Sequence, residues 1–194
     1  MHELAATAAR LVVDEGMDYA GAKRRAVKEL GLPRRTALPG NDQVEAEVRA
    51  HIRLFHADTQ PQELAALRQL ALDWMERLAE FRPHVSGAVW NGTATRMSDV
   101  VLQLFCDDPK SAEITLIDHG IRYDAQLHPG PRGKMLDILS FLAPCPQLGE
   151  AVGIHLTIAD HDDLRGALKP GPDGHALRGD RQALLRRMQL EQTS

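Results

Sequence analysis

Residues 87–101 read GAVWNGTATRMSDVV, and how this stretch is parsed decides the fold. Gly87 and Gly92 are bend residues, since glycine reaches backbone conformations that other residues avoid. Ser98 and Asp99 then lead into VVLQLFC, an apolar, branched run that reads as a strand over residues 99–106. Upstream, Pro83 is followed by HVSGAVW, a second extended run over residues 84–90. The pattern is strand, glycine bend, short turn or helix, strand. Either glycine alone means only a tight turn; their joint spacing to Ser98-Asp99 is what makes the stretch informative.

Toward the N-terminus the period is helical. Leu4, Ala8, Leu11 and Val12 give a short apolar face ending at Gly16, and Asp18 is placed to cap a second helix with Ala22, Ala26, Val27 and Leu30 inward. Gly31-Leu32-Pro33 stops that helix, the glycine by a left-handed turn and the proline as a barrier. After the turn Leu38-Pro39-Gly40-Asn41, Val44, Val48, Ile52 and Phe55 return at helical spacing. Thr59 with Gln62 suggests a capping box, with Pro61 in the first turn. The longest stripe follows, with Leu64, Leu67, Ala71, Trp74, Leu78 and Phe81 ahead of Pro83. Such a stripe packs a core or fills a partner's groove.

Toward the C-terminus, residues 109–119 read as a short helix, and residues 121–127 and 134–141 as strands joined by the loop HPGPRG. Residues 152–159 form another strand, Asp162 and Asp163 cap a short helix through Leu168, and residues 169–179 are a loop dense in Gly and Pro. Asp180 opens a last helix with Leu184, Leu185 and Met188 inward. The expected fold class is α+β. A helical N-terminal region (residues 1–82) leads into a domain (residues 83–194) with flanking helices around a mixed sheet of about four or five strands.

The composition is 43% hydrophobic and 26% charged with net charge -4, which disfavours a nucleic-acid partner, since such surfaces are usually strongly basic. No basic flank with an apolar run and cleavage site marks a signal peptide, and no apolar run reaches membrane-spanning length. Cys106 and Cys145 are far apart and lack metal-ligand spacing, as expected of free thiols in a reducing cytoplasm. The expectation is a cytoplasmic protein without a membrane partner.

The placement of Gly87, Gly92, Ala94, Ser98 and Asp99 resembles the nucleotidyltransferase-like superfamily, the fold of DNA polymerase β and the minimal nucleotidyltransferases. The resemblance spans roughly residues 84–141. It implies a glycine bend that receives a triphosphate, an adjacent serine that contacts phosphate, and aspartates on two strands that hold two magnesium ions. Carried onto this chain, it makes Gly87, Ala88, Gly92 and Ser98 the nucleotide-binding positions. Asp99 and Asp137 become the catalytic Mg2+ ligands, and an NTP the substrate or ligand. Asp137, inside KMLDILSF, is the later-strand carboxylate, with Asp124 as the alternative. Independently of any family, a carboxylate within an apolar strand needs a metal or an ion pair, for which Arg122 and Lys134 are at hand. Phosphoryl transfer needs negative charge neutralised, which carboxylate-held magnesium supplies. Alternate strand residues share a face, so Asp-x-Asp aims two carboxylates at one pocket, where two metals clamp attacking and leaving oxygens.

The chain departs from that pattern at two positions. Ala88 stands where the family has its phosphate-contacting serine, and Val101 where it has the second aspartate. Asp99, Val101, Gln103 and Phe105 share one strand face, so a branched apolar side chain sits beside Asp99. Three functions follow as expectations. The first is an enzyme moving a nucleoside monophosphate from an NTP to a small molecule, protein or RNA. The second is a degenerate nucleotide-binding module. The third is an interaction protein, either a regulatory partner or a homodimer through its helical region. No Gly-x-x-x-x-Gly-Lys-Ser/Thr run and no Gly-x-Gly-x-x-Gly at a strand-to-helix turn occurs, which disfavours P-loop and dinucleotide-binding enzymes.

The remaining polar groups read as structural. His51 and His56 are not at the i,i+4 spacing of a helical metal pair, and His155 reads as a core or hydrogen-bonded histidine. Asp160-His161-Asp162-Asp163 reads as a turn and helix cap. The basic run Lys23-Arg24-Arg25 with Lys28 and Arg34-Arg35 reads as a solvated face, as do Arg181, Arg186 and Arg187. No catalytic triad can be nominated, since neither cysteine is placed beside a histidine in a recognised spacing.

Overall fold

Helices α1 (His2–Glu15), α2 (Tyr19–Glu29) and α3 (Asn41–Phe55) form where the apolar period is helical. Leu4, Ala8, Leu11, Ala22, Val44 and Val48 meet in one buried cluster. Gly16 ends α1 in the left-handed conformation (φ 69°), its N–H bonded to the Val12 carbonyl. The Asp18 side chain caps α2 by accepting from the Gly21 N–H at 2.8 Å. Phe55, read as inward from spacing, is 70% exposed and lies against the His51 ring instead.

The structure, a computed structural model, describes residues 1–193; Ser194 lies outside the described residues. The chain divides into two compact units. A helical unit takes residues 1–64 and 93–98; a sheet-bearing unit takes residues 65–92 and the chain from residue 99 onward. The boundary at 64/65 falls inside α4 (Gln60–Arg77). Leu67, Ala71, Trp74 and Leu78 are buried, and Trp74 packs on Phe141 with ring centroids 4.7 Å apart. That part of the stripe is core.

The sheet has six strands in the order β3-β4-β5-β2-β1-β6. They are β1 (His84–Ser86), β2 (Val100–Phe105), β3 (Asp124–Pro129), β4 (Met135–Cys145), β5 (Glu150–Ala159) and β6 (Arg178–Gly179). Only β2 and β5 run parallel; the other neighbours are antiparallel. Helices α6 (Pro109–Asp118), α7 (Leu164–Ala167) and α8 (Arg181–Gln192) complete the α+β fold. Asp180 caps α8 as expected, accepting from the Ala183 N–H at 2.8 Å. Asp162 and Asp163 make no capping bond and instead sit in a 3-10 turn before α7.

The run expected as a strand over residues 84–90 splits. Gly87 adopts φ 68° and starts a short helix, α5 (Gly87–Asn91), so only His84–Ser86 remains extended. Val89 and Trp90 are both buried, on a helical turn. Arg68, 2% exposed, donates through Nε to the Val89 carbonyl at 3.0 Å and pairs through its guanidinium with Glu191. Trp90 donates to the Ala176 carbonyl at 2.8 Å, and the Arg187 guanidinium lies 3.9 Å from its ring centroid.

Candidate functional site

One face of the sheet is apolar and covered, carrying Val100, Leu102, Leu139, Phe141, Ile154 and Leu156. The opposite face carries the polar groups, and strand register decides which of them meet. Ser86 pairs with Val101 and with Arg178, Val101 with His155, and His155 with Ser140. Directly paired residues share a face, so Arg178, Ser86, Val101, His155 and Ser140 form one row across it. Asp99, two residues before Val101, belongs to the same face.

Gly87 and Asp99 come to the same end of adjacent strands. Ser86 is level with Val101, so the bend at Gly87–Ala88 lies across from the residues that open β2. A methyl group built on Gly87 would meet nothing within 4 Å, so the bend opens into free space. Gly92 (φ 84°) ends α5 in the left-handed conformation and serves that helix. Ser98 closes a local turn: its N–H bonds the Thr95 carbonyl at 2.8 Å and its hydroxyl accepts from the Thr95 N–H at 3.0 Å. It belongs to the helical unit, with residues 93–98, and its hydroxyl oxygen is an acceptor within that turn.

Asp137 does not join Asp99. It pairs with Ile158 on β5, whereas Asp99 is level with Gly153. From Gly153 to Ile158 an extended strand covers about 16 Å, and two strand spacings between β2 and β4 add about 10 Å sideways. The two carboxylates also project from opposite faces, because Ile158 belongs to the covered side. The expected magnesium pair of Asp99 and Asp137 is therefore not assembled, and the residues do not fit a two-metal centre. Asp124 is in register with Ser140 and so on the correct face, but about 14 Å from β2 at three strand spacings. Neither Arg122 nor Lys134 neutralises Asp137 as an ion pair: Lys134 bonds Asp160 at 2.9 Å.

Asp99 instead meets His155. Nε2 of His155 lies 2.7 Å from Asp99 Oδ2, and Nδ1 lies 2.7 Å from Ser140 Oγ. With Nε2 donating to the carboxylate, Nδ1 becomes the acceptor and the Ser140 hydroxyl donates to it. The hydrogen bond from His155 lowers the Asp99 pKa from the ordinary aspartate value. Partial burial opposes this, while the charge of His155 and the Gly153 backbone assist it. Gly153 makes the approach feasible, because a Cβ there would stand 2.7 Å from the carboxylate. The result is a Ser140–His155–Asp99 chain of hydrogen bonds across three strands, able to hold one imidazole tautomer and to take a proton at Nδ1. Sequence spacing could not find it, since the partners are brought together only by sheet register.

Further along the row, Arg178 donates to Gln103 Oε1, and its Nε has no partner. Burial lowers its pKa. Beside Ser140 a cleft of about 450 Å³ is lined by Ile121, Arg122, Tyr123 and Asp124. Both cysteines are buried free thiols; burial, followed by Asp108, Asp107 and Asp160, pushes the Cys106 thiol up. In the helical unit Arg24, Lys28, Arg34 and Arg35 edge a second cleft of about 770 Å³ floored by Val27 and Leu32. No helix among the described residues is long and apolar enough to cross a membrane.

Comparison with known protein families finds no matching family model, and comparison with curated proteins finds no match.

Proposed function

We propose that the sheet-bearing unit binds a nucleotide on its polar face, as a nucleotidyltransferase-like domain that no longer performs two-metal transfer. The carrying observation is the path from β1 to β2: an open left-handed bend at Gly87 with Asp99 beside it at the head of the neighbouring strand. Arg178, half-buried with an unpartnered Nε in the row of Ser86, supplies the positive charge that a phosphate requires. The Ser86 hydroxyl makes no capping bond and offers the donor that Ala88 lacks. His155 occupies Asp99 where the transferase reading needs a second carboxylate.

Melting temperature with ATP, GTP, CTP and UTP, in magnesium and in chelator, tests this reading. At least one nucleotide raises it, a hundredfold excess over Kd contributing about 2.7 kcal/mol. The shift persists in chelator and is lost in Arg178→Ala. Silence from all four nucleotides overturns nucleotide binding. Magnesium-dependent turnover overturns the loss of transfer chemistry.

The Ser140–His155–Asp99 chain favours a second reading, acyl transfer with Ser140 as nucleophile and His155 as base. It ranks second because Ser140 lies inside the β3-β4-β5 ladder. Its neighbouring amides are committed to strand pairing and cannot receive an oxyanion. Labelling by a fluorophosphonate, lost in Ser140→Ala, would raise it to first.

A further inference from the structure

A second cluster lies wholly within the helical unit, independent of the sheet face. Asp14 sits on the last turn of α1, His51 on α3, and His56 is the residue that caps α3. An ideal helix would turn a residue five positions on well away from the first. His56 avoids this by leaving helical geometry (φ -128°, ψ 14°), which swings its ring back to within 5.7 Å of the His51 ring. Both Nε2 atoms then approach the same oxygen, Asp14 Oδ1, at 3.1 Å from His51 and 3.0 Å from His56.

We propose that Asp14, His51 and His56 bind a divalent metal ion of the zinc class, with the fourth position open to solvent. The three ligand atoms lie within 4.8 Å of one another. A tetrahedral zinc ion with bonds of about 2.0–2.1 Å places its ligand atoms about 3.3 Å apart, so the two measured edges are already close to size. Two imidazoles and one carboxylate select zinc, cobalt, nickel or copper over magnesium, which prefers an all-oxygen shell. All three side chains are partly exposed, so an ion and its water can enter. An ion pair between α1 and α3 needs only one histidine on the carboxylate. Two rings aimed at one oxygen form the converging donor set that a metal uses, and the ion ties the C-terminal ends of α1 and α3 together.

The test is titration of chelator-stripped full-length protein with Co2+, read as visible d–d absorption, followed by displacement with Zn2+. One equivalent of cobalt develops the band, zinc removes it, and zinc raises the melting temperature. Asp14→Asn and His56→Ala each weaken binding by at least about tenfold. His2→Ala, whose histidine pairs with Glu47, changes nothing. His51 also supports Phe55, so the two other ligands carry the test; both substitutions fall at partly exposed positions, and circular dichroism checks the helices. No absorption band and no zinc-dependent shift in the unmutated protein overturns the proposal, as does an unchanged titration in both variants.

Discussion

Gly153 lies directly beneath Asp99: a Cβ at position 153 would stand 2.7 Å from both carboxylate oxygens. The absence of a side chain on β5 is therefore what lets the carboxylate lean across to His155. Gly153→Ala is expected to push Asp99 off His155 at little cost to folding, because Asp99 is a half-exposed side chain that can rotate away. NMR titration should show the Asp99 pKa rising toward the ordinary aspartate value. An Asp99 titration unchanged in the variant would refute the arrangement.

Asp99 also sets a pH dependence. Its pKa is lower in the folded protein than in the unfolded chain. The stabilisation is therefore present above the unfolded value and is lost as pH falls through the folded one. Both partners are partly exposed and screened, which limits the pair to about 1 kcal/mol or less. Urea denaturation of the unmutated protein and Asp99→Asn should differ at neutral pH and converge in acid. A difference that grows in acid would contradict the sign.

Arg68 is a buried clamp on α5. Its removal takes the donor from the Val89 carbonyl and leaves Glu191 without its partner, while the Trp90 carbonyl keeps the Arg187 guanidinium at 2.8 Å. Arg68→Ala is expected to cost about 2–4 kcal/mol, and Arg68→Lys most of that, since one ammonium cannot serve these acceptors together. Chemical denaturation gives the number. A loss under about 0.5 kcal/mol, the range of an ordinary surface change, would show that α5 does not depend on this clamp.

Gly179 admits the Trp90 indole, to which a Cβ would come as near as 2.3 Å. Gly179→Ala should displace the ring, break its bond to the Ala176 carbonyl and cost about 1–3 kcal/mol. In a Trp74→Phe background, where Trp90 is the remaining tryptophan, the emission should move to the red. An unshifted spectrum would mean the ring has another place to go.

Much of this fold is legible from local signals. Gly16, Asp18 and Asp180 act on their own neighbours, and the stripe through Leu67, Ala71 and Trp74 shows its buried side by period alone. The misread segments are those decided by distant partners. Val89 and Trp90 look extended in HVSGAVW, but Arg68 and the Ala176 carbonyl hold them in a helix. The site divides in the same way. Gly87 and Asp99 adjoin because β1 and β2 are successive strands, whereas Asp137 and His155 exchange importance through register, which no spacing along the chain encodes. His51 and His56 fail a helical spacing rule because His56 stands just beyond the regular helix.

The lone parallel pairing, β2 with β5, has a consequence for assembly. Parallel neighbours cannot be joined by a tight turn, and here α6, β3 and β4 must all be laid down before β5 can dock. Closing so long a loop is entropically demanding and favours slow, late formation. The contact between Asp99 and His155 thus reports the docking of β5 on β2. A nascent chain or fragment ending before residue 150 holds Asp99 but lacks the histidine it meets.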